Sequence, residues 1–243
     1  FLMLFKRLVR HFPLAYFRPF PFEKLKSVLR IGLPSAAEQI SYDASQVVIV
    51  YFINMLGNEV LAARVYVMNI VIIGYIFSLS LAQADSICTG NLVGAGKKQA
   101  AYLLSWYAWR RSLLITLIAS VSVYLFAQPL LGCFTENETI VGIAVSALLV
   151  DILLEQRRAT VLLYLFNRRS VGDVVVPVLI EMVCMWFFAV FFCYLAGIVF
   201  GLVLAGMWVA FAMDEGSRGL VLCLRWRTQK WKKRALIERP ASH

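Results

Sequence analysis

The chain has 243 residues, of which 61% are hydrophobic and only 16% charged, with a net charge of +10. An average soluble domain is roughly 45–50% apolar and about 25% charged, so this composition cannot clothe a water-soluble globule without large exposed apolar patches. It excludes a soluble enzyme with a single anchor and predicts a body that lives in lipid, with about six helices at roughly 20 apolar residues per span.

The positive charge is gathered at the two ends. Lys6, Arg7, Arg10, Arg18, Lys24, Lys26 and Arg30 precede the first span, and Arg225, Arg227, Lys230, Lys232, Lys233, Arg234 and Arg239 follow the last. Topology control and contact with anionic lipid headgroups account for such clusters, which places both ends in the cytoplasm and leaves no role for nucleic acid. Residues 1–26 read as a basic, aromatic interfacial arm or linker, broken by Pro13, Pro19 and Pro21. Residues 27–226 read as a six-helix transmembrane lobe, and 227–243 as a basic cytoplasmic tail anchored by Trp226 and Trp231. The chain opens on Phe rather than Met and shows no cleavable leader, which predicts a start in the middle of a longer protein.

The first span is expected from about Ile31 to Leu56, with Pro34 in its opening turn, where a missing N–H costs little. The turn Gly57-Asn58-Glu59 leads to a second span, about Leu61 to Cys88, which ends at the glycine-rich stretch Gly90–Lys98. An amphipathic lead-in ending at Arg110-Arg111 precedes the third span, about Leu113 to Leu131, closed by Pro129 and Gly132. After the acidic turn Glu136-Asn137-Glu138, a fourth helix runs from about Ile140 to Phe166. The polar loop Arg168, Arg169, Gly172 and Asp173 leads to the most apolar span, about Val174 to Val199, and a hairpin at Gly197 and Gly201 returns the sixth, about Leu202 to Leu224. Loop charge supports the count independently: connections two and four hold Lys97, Lys98, Arg168 and Arg169, whereas the others are acidic or neutral, with Arg64 just inside the second span as the basic exception.

A charge at the centre of a membrane helix costs about 2.5–3.5 kcal/mol on insertion scales, so each needs a partner, a watery cavity or a function. In the first span Gln39, Asp43 and Gln46 form one polar stripe, with Ser35, Glu38, Ser41 and Ser45 beside it. A stripe so wide lines a water-filled cavity or packs against another polar helix, while Glu38 also fits an interfacial carboxylate. In the fourth helix Asp151 and Glu155 are one turn apart, followed by Arg157 and Arg158. Two carboxylates at that spacing repel when both are ionised, which suits proton exchange or capture of a sodium ion. The alternative is an internally neutralised cluster with Glu155 and Arg158 paired at i, i+3. Asp214 and Arg218, one turn apart in the sixth span, read as a structural ion pair, and Asp85 and Glu181 as interfacial carboxylates.

The five cysteines show no metal-ligand spacing, and two histidines, His11 and His243, cannot build a triad or a zinc site, so no metal and no catalytic group is expected. The tripeptide at Asn137 is a weak glycosylation acceptor, and Gly94-Ala95-Gly96 lacks the strand and the spacing of a nucleotide loop.

Several segments together resemble the multidrug and toxic compound extrusion (MATE) transporters, and specifically their second six-helix half: LRIGLPSAAEQ at 29–39, LGNEVLAARVYVMN at 56–69, TGNLVGAGKKQAA at 89–101, RRSVGDVVVP at 168–177 and GMWVAFAMDEGSRGLVLCLRWRTQKW at 206–231. The resemblance implies an all-α membrane protein, one six-helix lobe of a twelve-helix transporter of the plasma (bacterial inner) membrane. It also implies export of amphipathic, often cationic organic compounds in exchange for protons or sodium ions, with the missing amino-terminal lobe or a second copy as partner. No cofactor beyond the coupling ion is implied. By helix, the family's cation site maps to Glu38, Asp43, Asp151 and Glu155, with Gln39, Tyr42, Gln46 and Arg158 as cavity-lining candidates. Many relatives read Glu-x-Gly-Arg-x-x-Asn on the fourth helix, where this chain has Glu155-Gln156-Arg157-Arg158-Ala159-Thr160-Val161, and a bulky cation in place of Gly is expected to disturb close helix packing or fill the cleft. Two other readings stay open: a flippase of lipid-linked sugars from the same superfamily, and a non-transporting membrane scaffold or inactive fragment.

Overall fold

The computed structural model describes residues 22–173, 175–229 and 231–234, so the basic clusters before Phe22 and after Arg234 lie outside the described residues. All regular structure among them is helical. Helix α1 is Phe22–Met55, α2 Asn58–Gly94, α3 Lys98–Leu125, α4 the short Ala127–Gly132, and α5 Glu138–Ser170. Helix α6 begins as Val175–Cys184 and continues through a π-helical stretch Met185–Phe191, one α-turn Phe192–Tyr194 and a second π stretch Leu195–Val199. Helix α7 is Val203–Arg227 and α8 Trp231–Arg234.

Two expected boundaries shift. Helix α1 starts at Phe22, inside the stretch read as an arm, so Pro34 stands within the helix rather than in its opening turn. The lead-in before Arg110-Arg111 is continuous with the third span, and the break comes at Phe126. Three stretches, Asn58–Gly94, Lys98–Leu125 and Val178–Val199, are long and apolar enough to cross a membrane by length and composition. The other three long helices, α1, α5 and α7, each carry several Asp, Glu or Arg side chains along their length.

Helix α5 is the hub, packed against α2, α3 and α7. Close approach is made possible by small side chains, because without water the helices associate through packing and interhelical hydrogen bonds. The buried face of α3 is Ala101, Ser105, Ser112, Thr116 and Ser120, and α5 answers with Ala144, Ala147 and Ala159. Ser78 and Thr116 hydroxyls meet at 3.2 Å between α2 and α3, and Asn167 Nδ2 donates to Ser105 Oγ at 3.0 Å and to Asp85 Oδ2 at 2.6 Å. At one end of the bundle, Asn137 caps α5 by accepting from the Thr139 and Ile140 amides and donates to Glu59 Oε1 at 3.3 Å. The α6–α7 hairpin turns through Gly201 at φ +66°, which glycine adopts without a Cβ penalty, and a Cβ at Gly206 would lie 2.7 Å from the Ala196 carbonyl oxygen. Here the Cys193 thiol is fully buried and donates to the Met207 carbonyl at 3.7 Å, while Cys88 and Cys133 are exposed.

Candidate functional site

The i, i+4, i+7 spacing of Asp151, Glu155 and Arg158 puts all three on one face of α5. Across from them, one turn of α7 presents Asp214, Glu215 and Arg218. Asp151 and Glu155 are only 3% and 2% exposed, which an unpartnered carboxylate could not tolerate. The Trp208 indole N–H donates to Asp151 Oδ1 at 3.1 Å, and Arg158 pairs with Glu155. Arg158 Nε also lies 3.9 Å from Glu215 Oε1, and Arg218 Nη2 is 2.6 Å from Asp214 Oδ2 and 3.1 Å from Glu215 Oε1. Acids and bases thus alternate across the two helices, each guanidinium spanning two carboxylates.

Two cavities flank this network. An open cleft is lined by Tyr42, Gln46, Met68, Phe211 and the Arg158–Glu215–Arg218–Asp214 group. A smaller hollow between α2, α3 and α5 is lined by Gly74, Thr116 and Ser120 with Asp151 and Glu155. The carboxylate pair and the arginine-bearing cleft therefore lie on opposite sides of the Glu155–Arg158 contact. Met68 and Phe211 give this cleft an apolar side, and charged groups of both signs stand opposite.

Of the residues singled out by sequence, the structure brings Tyr42, Gln46, Arg158, Asp214 and Arg218 to one cleft and Asp151 and Glu155 to its neighbour. Glu38 stands apart, bridged through both carboxylate oxygens to Arg169 Nη2 at 2.6 Å. Gln39 Nε2 donates to Asp43 Oδ1 at 3.1 Å on an exposed face of α1, and neither residue lines either cavity. Asp214 and Arg218 form the expected pair, but as part of the cleft wall.

Several site residues escape the sequence reading. Glu215 adds the carboxylate that links the two arginines. Arg64 Nη2 donates to Gln46 Oε1 at 3.0 Å, so the basic exception of the second span is turned inward towards the cleft. Asp85 and Glu181, expected at an interface, are 6% and 4% exposed, because α5 covers the first and α1 lies over the second. Arg157 does not fill the cleft: its Nη1 donates to the Ala212 carbonyl at 2.6 Å. Among the described residues no cluster of His, Cys, Asp and Glu could hold a metal ion.

A family model, MatE, matches residues 34–195. The chain is 34% identical over 214 residues to the "Uncharacterized transporter YisQ" of Bacillus subtilis, covering 88% of this chain and 47% of that protein. It is 23% identical over 214 residues to the "Probable multidrug resistance protein NorM" of Thermotoga maritima, covering 88% and 46%. The fold matches a crystal structure of the Vibrio cholerae MATE transporter VcmN in the bent form, with a TM-score of 0.77 at 24% identity over 85% of this chain and 47% of that one. It also matches an outward-facing multidrug resistance MATE family transporter of the MOP superfamily, with a TM-score of 0.75 at 24% identity over 93% and 50%. The chain thus spans about half the length of the curated relatives it matches. It belongs to the MatE family, whose members are integral membrane transporters and not enzymes.

Proposed function

We propose that the chain is the carboxyl-terminal lobe of a secondary active exporter that moves amphipathic, often cationic organic compounds out of the cell in exchange for protons or sodium ions. The observation that carries this reading is the open cleft beside a buried carboxylate pair. Cargo would sit between Tyr42, Phe211 and the Asp214–Glu215 carboxylates, while Asp151 and Glu155 exchange the coupling ion behind the Glu155–Arg158 contact. The basic end, with Lys97, Lys98, Arg168 and Arg169, faces the cytoplasm of the plasma membrane. Alternating access needs a second lobe to rock against, supplied by a matching amino-terminal half or by a second copy. Arg158 and Arg218 are both engaged by carboxylates, which favours this cargo over the pyrophosphate of a lipid-linked sugar.

The test is ethidium or norfloxacin efflux from cells making the chain alone or beside a matching amino-terminal half, with and without a proton or sodium gradient. Gradient-dependent efflux in either arrangement is the expected result. Its absence in both would overturn the reading and leave a membrane scaffold in its place.

A further inference from the structure

Arg110 and Arg111 stand exposed on α3 where that helix turns apolar. Counting roughly 20 apolar residues per span back from Leu131 ends beside Ser112, so the pair marks the hydrocarbon edge on the side of the basic end. Both lie off the buried face of α3, and neither lines the open cleft.

A third guanidinium joins them. Arg111 lies over the Tyr107 ring, 5.0 Å from its centroid. One turn before Arg110, on the same face, Trp106 is covered by Arg227 from the last turn of α7, at 4.7 Å. The three cations thus gather along about 7 Å of helix length. Arg158, Arg168, Arg169, Arg218 and Arg225 are all ion-paired, but among the described residues Arg110, Arg111 and Arg227 have no carboxylate partner.

Below the arginines the same side of α3 continues as Leu114, Ile115, Ile118 and Leu125, all exposed. This apolar track is about 20 Å long, enough to run beside one leaflet, which is half of a hydrocarbon core of roughly 30 Å. A guanidinium at the hydrocarbon edge is costly without a counter-charge, and its long stem lets the head reach the phosphate level. Guanidinium forks match the oxygens of a phosphodiester. A zwitterionic head would bring an ammonium into a group with no acid to receive it, and a soluble polyanion would leave the track uncovered.

We propose that Arg110, Arg111 and Arg227, with Trp106 and Tyr107, form a binding site for the headgroup of an anionic glycerophospholipid in the leaflet at the basic end, with one acyl chain lying along Leu114 and Ile118. The lipid bridges α3 to the end of α7 from outside, beside the point where the Trp109 indole N–H donates to Thr160 Oγ1 at 3.0 Å and ties α3 to α5. The site goes beyond the export reading and does not rest on it.

The full chain in phosphatidylcholine vesicles tests it, with a low mole fraction of either phosphatidylglycerol or phosphatidylcholine brominated near the ester. Trp106 is partly exposed at the site, Trp208, Trp226 and Trp231 are buried, and Trp186 on α6 should meet both brominated lipids alike. Tryptophan quenching should give phosphatidylglycerol a relative affinity of roughly fivefold or more, the scale of one arginine's attraction to an anionic surface. Arg110→Gln with Arg111→Gln should bring that ratio close to one, and Arg227→Gln should lower it. Trp106→Phe, which keeps all three arginines, should remove most of the excess quenching by phosphatidylglycerol and spare the shared part. A native ratio near one, or a ratio that survives the double variant, would overturn the proposal. An excess that survives Trp106→Phe would overturn it equally, by placing the anionic lipid elsewhere on the basic end. The native chain and Trp106→Phe decide the matter even where the arginine variant fails to reconstitute.

Discussion

The guanidinium of Arg157 on α5 lies directly against Gly216 on α7. A Cβ added at Gly216 would sit 2.7 Å from Arg157 Nη1, the same nitrogen that donates to the Ala212 carbonyl at 2.6 Å. The sequence reading expected Arg157 to spoil close packing because relatives carry a small residue there. Here Gly216 on the facing helix leaves the space that the guanidinium takes, an exchange of large against small that lets the helices meet.

This exchange predicts a coupled pair. Gly216→Ala should cost roughly 1–3 kcal/mol of overpacking, offset in part by about 0.5–1 kcal/mol from replacing a helical glycine. Combining it with Arg157→Gly should restore more stability than the sum of the single changes allows. Thermal unfolding of the four proteins in one detergent measures the coupling, and additive shifts would show that the contact carries no energy.

At the carboxylate pair, Asp151→Asn keeps an oxygen to accept from the Trp208 indole, and Glu155→Gln keeps one for Arg158. The double variant should therefore insert in the membrane at native levels yet lose gradient-driven efflux. Unchanged efflux would assign Asp151 and Glu155 to structure.

Asn137 predicts a capping effect at the other end of α5. Asn137→Ala removes the acceptor for the Thr139 and Ile140 amides and should cost about 1 kcal/mol, whereas Asn137→Asp keeps the cap and should cost less. Melting temperatures of the two variants decide it. The Nδ2 that a glycan would occupy already donates to Glu59, which weighs against reading this tripeptide as an acceptor.

A fourth prediction concerns acid. Asp173 lies in the loop after α5, where burial acting to raise its pKa is outweighed by hydrogen bonds from Arg225, at 3.2 Å, and from Arg168, and the carboxyl is held below its ordinary value. A depressed native value means that the stabilisation is fully present above the unfolded-state value and is lost as pH falls through the native one. Asp173→Asn should lower the melting temperature at neutral pH, with the gap to the native chain closing as pH drops below the usual carboxylate range. A gap that is independent of pH would deny the ionised form this role.

Features that depend on spacing along one helix were legible in the sequence. The Asp214–Arg218 pair, the Glu155–Arg158 contact and the six long apolar or amphipathic stretches all follow from residues three to four apart or from run length. What sequence could not give was depth. Glu181 and Asp85 sit near helix ends and read as interfacial, but a neighbouring helix covers each, and no periodicity within α6 or α2 reports that cover. The polar residues of α1 read as two adjoining stripes, and they differ in depth: Ser41 and Ser45 of the second are buried, while Gln39 and Asp43 of the first remain exposed and Gln46 turns towards the cleft. The π stretches of α6 left no sequence signal, because Met, Trp, Phe, Ala and Val there fit an α-helix equally well.

The graded burial of the cysteines gives the molecule a native set of chemical reporters. A maleimide added to membranes should stain Cys88 and Cys133 while sparing Cys193, which is sealed beneath the Met207 carbonyl where α6 meets α7. Any turnover step that parts those two helices would uncover that thiol, so the rate of its alkylation becomes a clock for the motion without a single engineered label.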